Sequence, residues 1–202
     1  MTRRGMLLVV SAPSGAGKTT IVKEILRRIP SFKFSVSATT REKRPGEING
    51  KDYFFLSRDE FEKRIANGDL VEHEEIYSDY YGTLKSEVEK AAAKGEDIVF
   101  DVDVNGGLSI KRIFPEAVTI FVKPPSIDSL RRRLEGRGSE SVAQIKRRME
   151  RVPMELEKGA RFDYIVVNDD LKSAIAQVFD IIERKSSEIA EMGKEKELSR
   201  GT

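Results

Sequence analysis

The feature that most constrains this chain is a glycine-rich turn between an apolar run and an amphipathic segment. The segment LVVSAPSGAGKTT occupies residues 8–20. Glycines let the backbone fold its N–H groups around an anion, and the first turn of the next helix adds unpaired donors at a positive dipole end. A lysine in this position reaches the outer phosphates of a nucleotide, and the hydroxyl beside it can ligate Mg²⁺. The pattern predicts a phosphate-binding loop formed by Ala12, Pro13, Ser14, Gly15, Ala16, Gly17, Lys18, Thr19 and Thr20, with Thr19 as a metal ligand.

The residues around this loop support the prediction. The strict motif begins with glycine, and here the small Ala12 takes that position. A helix is expected after the loop because apolar residues recur on one face at 3.6-residue spacing. These residues are Ile21, Val22, Ile25, Leu26 and Ile29. A chance Gly/Ser-rich turn is the alternative, and it would not require a strand, a lysine and a helix in this order.

Composition excludes several other classes of function. The 202 residues suit one α/β domain with an inserted subdomain. No apolar run has the length of a membrane span and no secretion signal is recognisable, so we expect a soluble, cytoplasmic protein without a membrane partner. Without cysteine, and with His73 as the single histidine, disulfides, zinc–thiolate sites and multi-histidine sites are excluded. Any metal is therefore expected to arrive with a substrate.

Charge is nearly balanced but unevenly distributed. Lys and Arg number 36 against 34 Asp and Glu, a net charge of +2, so we expect no nucleic-acid partner. Basic residues are concentrated between residues 131 and 151. Part of this concentration is also what a solvated helix surface would show.

The order of apolar patterns predicts an α/β fold. Short β-branched runs alternate with amphipathic stretches, which is typical of a parallel sheet with helices on both faces. The predicted strand and helix pairs are residues 6–10 with 19–28, 97–101 with 107–114, 118–122 with 127–134, and 164–167 with 171–189.

Between the first helix and residue 96 the pattern changes to that of a mixed lobe. Strands are predicted over residues 34–38, 53–56 and 70–76. Helices are predicted after a capping box at Ser57 and over residues 86–94. We therefore predict a lobe over residues 34–95, inserted into a core of residues 1–33, 96–134 and 159–192.

A mobile element is predicted in the region where basic residues are concentrated. Two glycines interrupt the helical pattern between residues 134 and 142, and arginines flank the interruption. We predict a short lid over residues 135–158, with Pro153 kinking or ending its helix. The polar tail over residues 193–202 is expected to be frayed.

A second anion site is predicted in the lobe. Arg41 and Arg44 are three residues apart and Tyr53 follows shortly after. A planar guanidinium binds phosphate oxygens in pairs, and a phenol donates one further hydrogen bond. A solvated basic loop is the alternative for the two arginines, and a core position is the alternative for the tyrosine.

The segment that carries these residues resembles guanylate kinases, which are P-loop kinases of nucleoside monophosphates. Residues 37–55 follow the pattern S-x-T-T-R-x-x-R-x-G-E-x-x-G-x-D-Y-x-F, and the similarity extends from about residue 6 to residue 182. The resemblance implies transfer of the γ-phosphoryl group of ATP, with Mg²⁺, to GMP or dGMP, giving ADP and GDP in purine nucleotide metabolism and GMP recycling. It also implies that the GMP phosphate is bound by Arg41, Arg44, Tyr53 and Tyr81.

Recognition of guanine needs a hydrogen-bond acceptor. Guanine presents N1–H and an amino group as adjacent donors, which a carboxylate accepts, whereas adenine presents a lone pair at N1. Glu72, Glu74 and Glu75 are all candidates by sequence, and strand alternation places the first two on one face. The family resemblance selects Glu72, directs Ser37 toward O6, and places Thr83 and Asp103 nearby.

Catalysis needs alignment and charge neutralisation, because the second pKa of a nucleoside monophosphate is about 6 and its attacking oxygen is already ionised. His73 is therefore not expected to act as a base, and alternation places it opposite Glu72. Lys18 is expected to be catalytic, and Asp101, at the end of an apolar run, to orient the water shell of the metal. The resemblance assigns catalytic roles to Arg41 and, from the lid pattern of the family, to Arg133, Arg137 and Arg148, whereas Arg131, Arg132 and Arg147 are nearby alternatives.

The sequence argues against three alternative functions. A peptide-binding module of the same fold usually lacks a working phosphate loop. A sugar-phosphate kinase would have no use for Ser37 and Glu72, and a nucleic-acid binder conflicts with the net charge. The oligomeric state is expected to be a monomer or a homodimer.

Overall fold

The computed structural model describes residues 5–136 and 141–198, with side chains described as far as residue 191. A five-stranded sheet forms its centre, in the order β2-β7-β1-β8-β9, and every neighbouring pair is parallel. These strands are β1 (Leu7–Ser11), β2 (Phe32–Phe34), β7 (Asp97–Asp101), β8 (Val118–Lys123) and β9 (Tyr164–Val167). The predicted parallel sheet is confirmed.

Helices cover both faces of this sheet. They are α1 (Lys18–Arg28), α3 (Lys85–Ala93), α4 (Val104–Ile113), α5 (Ile127–Glu135), α6 (Val142–Gly159) and α7 (Leu171–Leu198). Alternation along β1 separates two apolar cores: Leu8 packs in the cluster with Ile21 and Val178, whereas Val9 packs in the cluster with Ile110. This arrangement confirms the predicted fold class.

A second sheet of four strands lies within residues 37–84, in the order β4-β3-β6-β5. Its strands are β3 (Ser37–Thr39), β4 (Phe54–Phe55), β5 (Leu70–Ile76) and β6 (Asp79–Leu84), and the helix α2 (Arg58–Asn67) belongs to the same region. The predicted capping box is present, since the Ser57 hydroxyl accepts from the Glu60 N–H and the Glu60 side chain bonds the Ser57 backbone. Strand β6 has no counterpart among the predicted elements.

The prediction of one strand over residues 34–38 is wrong. Phe34 ends β2 in the central sheet, and Ser35 N–H still donates to the Val99 carbonyl at 2.9 Å. Ser37 then begins β3, which pairs with β6 in the second sheet. The apolar alternation continues through both strands, so it contains no sign of the change of sheet.

Three predicted helices differ at their ends. Helix α4 begins at Val104 instead of 107, because the Asp103 side chain caps it by accepting from Gly106 N–H. Pro153 does not end helix α6, which continues to Gly159. Pro153 is exposed while Val152 is buried, so packing of the apolar face outweighs one missing hydrogen bond. Helix α7 runs to Leu198, beyond the predicted end at 189, so the backbone of the expected frayed tail is helical up to that residue.

No helix in the described ranges combines the length and apolar character that crossing a membrane requires.

Candidate active site

The predicted phosphate loop connects β1 to α1 at the carboxyl edge of the central sheet. Gly17 stands at the helix N-cap with φ 100°, in the left-handed region that favours glycine. The Asn168 amide Nδ2 donates to the Ala16 carbonyl at 2.7 Å, and a Cβ on Gly17 would collide with the same Nδ2. Conformation and close packing therefore both require glycine here.

Lys18 is held by an acid at the end of the neighbouring strand. Its Nζ lies 2.7 Å from Asp101 Oδ1 and donates to the Val102 carbonyl at 2.8 Å. The two residues meet because β1 and β7 are parallel neighbours whose carboxyl ends share one edge. Burial opposes the charge of Lys18, but attraction to Asp101 and Asp103 outweighs it, so the pKa of Lys18 is raised. The lysine is thus a half-buried cation, fixed beside the loop by these two contacts.

A cavity of about 610 Å³ opens between the phosphate loop and the second sheet. Most of the predicted site residues line it. They are Ala12, Pro13, Ser14, Gly15, Gly17, Lys18, Thr19, Thr20, Arg44, Tyr53, Tyr81, Asp103 and Arg148. The other predicted residues lie outside this lining; they are Ala16, Ser37, Arg41, Glu72, Thr83, Asp101 and Arg133.

The two arginines of the predicted second anion site differ in that Arg44 lines the cavity and Arg41 does not. Arg44 faces the cavity together with Tyr53 and Tyr81, whose ring centroids are 6.2 Å apart. Arg41 instead forms an ion pair with Glu47 at 2.7 Å, and its guanidinium lies 5.3 Å from the centre of the Tyr53 ring. Burial raises the pKa of Tyr53, so its phenol remains a hydrogen-bond donor over the neutral range.

The predicted guanine-binding residues form a polar row across three strands. Ser37 pairs with Thr83 across β3 and β6, and Thr83 pairs with Glu72 across β6 and β5. The Thr83 hydroxyl donates to Glu72 Oε1 at 2.6 Å. Glu72 is 8% exposed whereas His73 is exposed, so the predicted placement of these two side chains on opposite faces is confirmed.

Glu72 also touches the helix that follows β7. A Cβ on Gly106 would lie 2.8 Å from Glu72 Oε2, so glycine at this position lets the carboxylate approach α4. Burial, with smaller contributions from Asp103 and Glu74, raises the pKa of Glu72 to about 7. A ligand with two donors would favour the ionised carboxylate, so binding such a ligand would release a proton.

The three arginines assigned from the lid pattern have different environments. Arg148 Nη1 donates to the Ser14 hydroxyl at 2.6 Å, so this arginine on α6 contacts the phosphate loop directly. Arg133 on α5 donates to the Asn168 carbonyl at 2.9 Å, behind the loop. Arg137 lies outside the described residues.

The donor set for a metal is small. Thr19 lines the cavity and Asp101 ends β7, while no group of three or more His, Asp or Glu side chains in residues 5–136 and 141–191 is arranged to hold a metal ion. Mg²⁺ keeps several waters and binds through one or two protein oxygens and substrate phosphates. One hydroxyl and one carboxylate beside a phosphate loop fit an ion that arrives with a nucleotide.

Sequence reasoning missed four residues that line the cavity, namely Ile76, Tyr77, Arg151 and Glu155. The i, i+4 spacing of Arg151 and Glu155 is a signal for their pairing, but it also suits an exposed helix pair. Asn168 was given no role, although it follows β9 and thus reaches the same sheet edge as the phosphate loop.

Comparison with known proteins agrees with this geometry. A family model described as guanylate kinase matches residues 4–185. Guanylate kinases of Salinibacter ruber and Chlorobaculum tepidum are 51% and 49% identical; the matches cover 85% and 87% of this chain and 92% and 90% of those proteins. A crystal structure of guanylate kinase from Anaplasma phagocytophilum superposes with a TM-score of 0.72 at 28% identity, over 92% of this chain and 88% of that one. The chain therefore belongs to the guanylate kinase family.

Proposed function

We propose that this chain transfers the γ-phosphoryl group of ATP to GMP, and also to dGMP, giving ADP and GDP in purine nucleotide metabolism and GMP recycling. One observation carries the proposal beyond family membership. A single cavity is lined on one side by the phosphate loop and on the other by Arg44, Tyr53 and Tyr81. Two anion-binding groups that face one cavity suit two nucleotides whose phosphates meet.

Selection of GMP rests on Glu72. Its buried carboxylate accepts from Thr83 through Oε1, and the other oxygen lies against the first turn of α4 near Asp103. Guanine satisfies such an acceptor through N1–H and its amino group, whereas adenine would leave the acceptor unpaired in a buried place. In this proposal Ser37 binds near O6, and Thr83 and Asp103 complete the base pocket.

Phosphoryl transfer rests on fixed positive charge. Lys18 and the donors of residues 12–20 hold the ATP phosphates, while Arg148 already contacts the loop through Ser14. Arg133 and Arg137 are proposed to join as the lid of residues 135–158 closes. Arg41 would then contact the GMP phosphate after exchanging its Glu47 partner for the ligand.

The metal is proposed to be Mg²⁺, bound as MgATP. Thr19 would ligate it and Asp101 would orient its water shell, and the ion would neutralise charge on the outer phosphates. The Asp101 carboxylate lies 2.7 Å from Lys18 Nζ, so one acid would order both cations of the site.

The proposed roles of these residues also divide the chain into a core, a lobe and a lid. We propose residues 34–95 as the GMP-binding lobe, residues 135–158 as the lid, and residues 1–33, 96–134 and 159–192 as the core, in one domain. In this proposal the substrates are the nucleotides alone, without nucleic acid or membrane. We propose a cytoplasmic location because those substrates are cytoplasmic metabolites, and a monomer or homodimer as the assembly.

A coupled ADP-release assay with five acceptors tests the function. ATP consumption should be rapid with GMP and dGMP and slow with AMP, CMP and UMP. Lys18→Ala should lower kcat by about 1,000-fold or more while remaining folded, whereas Lys23→Ala, at an exposed position on the same helix, should behave as wild type. Equal rates for AMP and GMP, or a Lys18→Ala variant of normal activity, would contradict the proposal.

A further inference from the structure

Arg151 lines the cavity but has no role in the proposed reaction. It lies on α6 three residues after Arg148, so both side chains project from the same face of the helix. Its Nη2 lies 3.3 Å from Asp103 Oδ2, and its Nε lies 3.6 Å from Glu155 Oε1. The guanidinium carbon is also 5.8 Å from the centre of the Tyr77 ring. One side chain thus connects α6 with the start of α4 and with the β5–β6 turn.

These contacts differ from an exposed helix pair because little water reaches them. The side chains of Arg151, Asp103 and Glu155 are 23%, 17% and 10% exposed. Low exposure weakens solvent screening and makes an unpaired charge costly. Removal of the arginine would therefore leave two acids close together in a poorly hydrated place.

Each carboxylate has one oxygen directed to Arg151 and the other placed elsewhere. Asp103 Oδ1 accepts from Gly106 N–H at 2.9 Å, which fixes the carboxylate at the start of α4. Glu155 Oε2 is buried and has no hydrogen-bond partner among the described residues, so the ion pair with Arg151 is the described contact that opposes the cost of burying this carboxylate. Burial raises the pKa of Glu155, and Arg151 opposes that rise.

We propose that Arg151 is a positioning residue, which Glu155 directs into the cavity and which aligns Asp103 for the bound GMP. The inference rests on the proposed function, in which Asp103 contributes to the GMP pocket. Arg151 acts through Asp103, and through the turn that carries Tyr77, rather than on the transferred phosphoryl group. Tyr77 has φ 55°, which is an uncommon backbone conformation for a residue with a large side chain, so the contact with Arg151 helps to hold this turn.

This position predicts a selective kinetic effect. Without the guanidinium, Asp103 keeps its bond to Gly106 but loses the contact that orients Oδ2. GMP binding should weaken, whereas the ATP loop and Lys18 should be affected little. A merely structural role in holding α6 would change the two KM values together.

The test compares Arg151→Met and Arg151→Lys with Lys146→Met, an exposed cation on the same helix. For Arg151→Met we expect KM for GMP to rise about tenfold or more and KM for ATP to change by less than about twofold. Arg151→Lys, which keeps the charge, should recover part of the GMP affinity, and Lys146→Met should match wild type. Glu155→Gln should shift KM for GMP in the same direction, and its effect should not add to that of Arg151→Met.

Calorimetric titration with GMP and thermal melts accompany the kinetics, so that each outcome can be interpreted. A wild-type KM for GMP in Arg151→Met, or equal rises for GMP and ATP, would overturn the inference. If Arg151→Met does not fold, the Arg151→Lys and Glu155→Gln variants decide it by the same ratio of KM values. A wild-type protein that binds GMP without phosphorylating it contradicts the proposed function but leaves the affinity comparison intact, whereas no GMP binding at all overturns both.

Discussion

Replacement of Glu72 by glutamine should make the ligand-free protein more stable and the enzyme much less active. Burial raises the pKa of Glu72 from its ordinary value of 4.5 to about 7. The folded state therefore holds a proton that the unfolded state has already lost between these pH values, and stability falls as pH rises through this window. Glutamine has nearly the same shape, still accepts from the Thr83 hydroxyl, and does not titrate.

The magnitude follows from the difference between the two pKa values. The pKa difference between 4.5 and about 7 lowers the free energy of unfolding of the wild type by at most about 3 kcal/mol. This limit is reached above pH 7. At pH 5 the destabilisation is only about 1 kcal/mol, because pH 5 is just above the pKa of this carboxyl in the unfolded state. The free energy of unfolding of Glu72→Gln should therefore exceed that of wild type by about 3 kcal/mol at pH 8, which corresponds to about 6–12 °C in Tm for a chain of this size.

Thermal and urea unfolding of the ligand-free protein between pH 5 and pH 8 measure this difference. Glu75→Gln is the matched control, because Glu75 lies on the same strand but is exposed, and its salt bridge to Arg58 at 3.5 Å contributes little. In the kinetic assay, Glu72→Gln should lower kcat/KM for GMP by about 100-fold or more, since the amide cannot accept both guanine donors.

Two outcomes would refute the reasoning. If the stabilities of Glu72→Gln and wild type remain parallel over the pH range, burial does not perturb this carboxyl. If the variant retains normal kcat/KM for GMP, the buried acid does not recognise the base, whatever its effect on stability.

Two glycine substitutions test the geometry of the site. Gly17→Ala should destabilise the protein by about 2 kcal/mol or more in urea unfolding and should raise KM for ATP, because φ is 100° and the new Cβ meets Asn168. Gly46→Ala is the control, with φ 87° but nothing within 4 Å of its Cβ; an equal loss there would show that the contact with Asn168 is unimportant. Gly106→Ala places a Cβ 2.8 Å from Glu72 Oε2 in a helix that otherwise favours alanine, so KM for GMP should rise about tenfold without loss of Tm. An unchanged KM for GMP would argue against binding of the base beside α4.

Much of the fold could be predicted because its signals are local. Alternating apolar runs and amphipathic stretches indicated the parallel sheet, and the Ser57 capping box placed the start of α2 correctly. The strand division at Ser35 and the pairing of β6 could not be predicted, because they depend on which distant strand offers a free edge. Continuation of α6 through Pro153 depends likewise on packing of the opposite helix face.

The phosphate loop was determined by sequence alone, since its turn, its lysine and its helix are consecutive residues whose conformation glycine and hydrogen bonding specify. The choice of Glu72 as the proposed base-recognising acid was not, because strand alternation alone leaves Glu72 and Glu74 on one face, and only the packing of β5 against α4 buries Glu72. The ion pair of Arg151 with Asp103 joins residues 48 positions apart, and only the tertiary structure placed it. A site formed by consecutive residues can be predicted from the sequence, whereas burial and charge pairing depend on segments that come into contact only after folding.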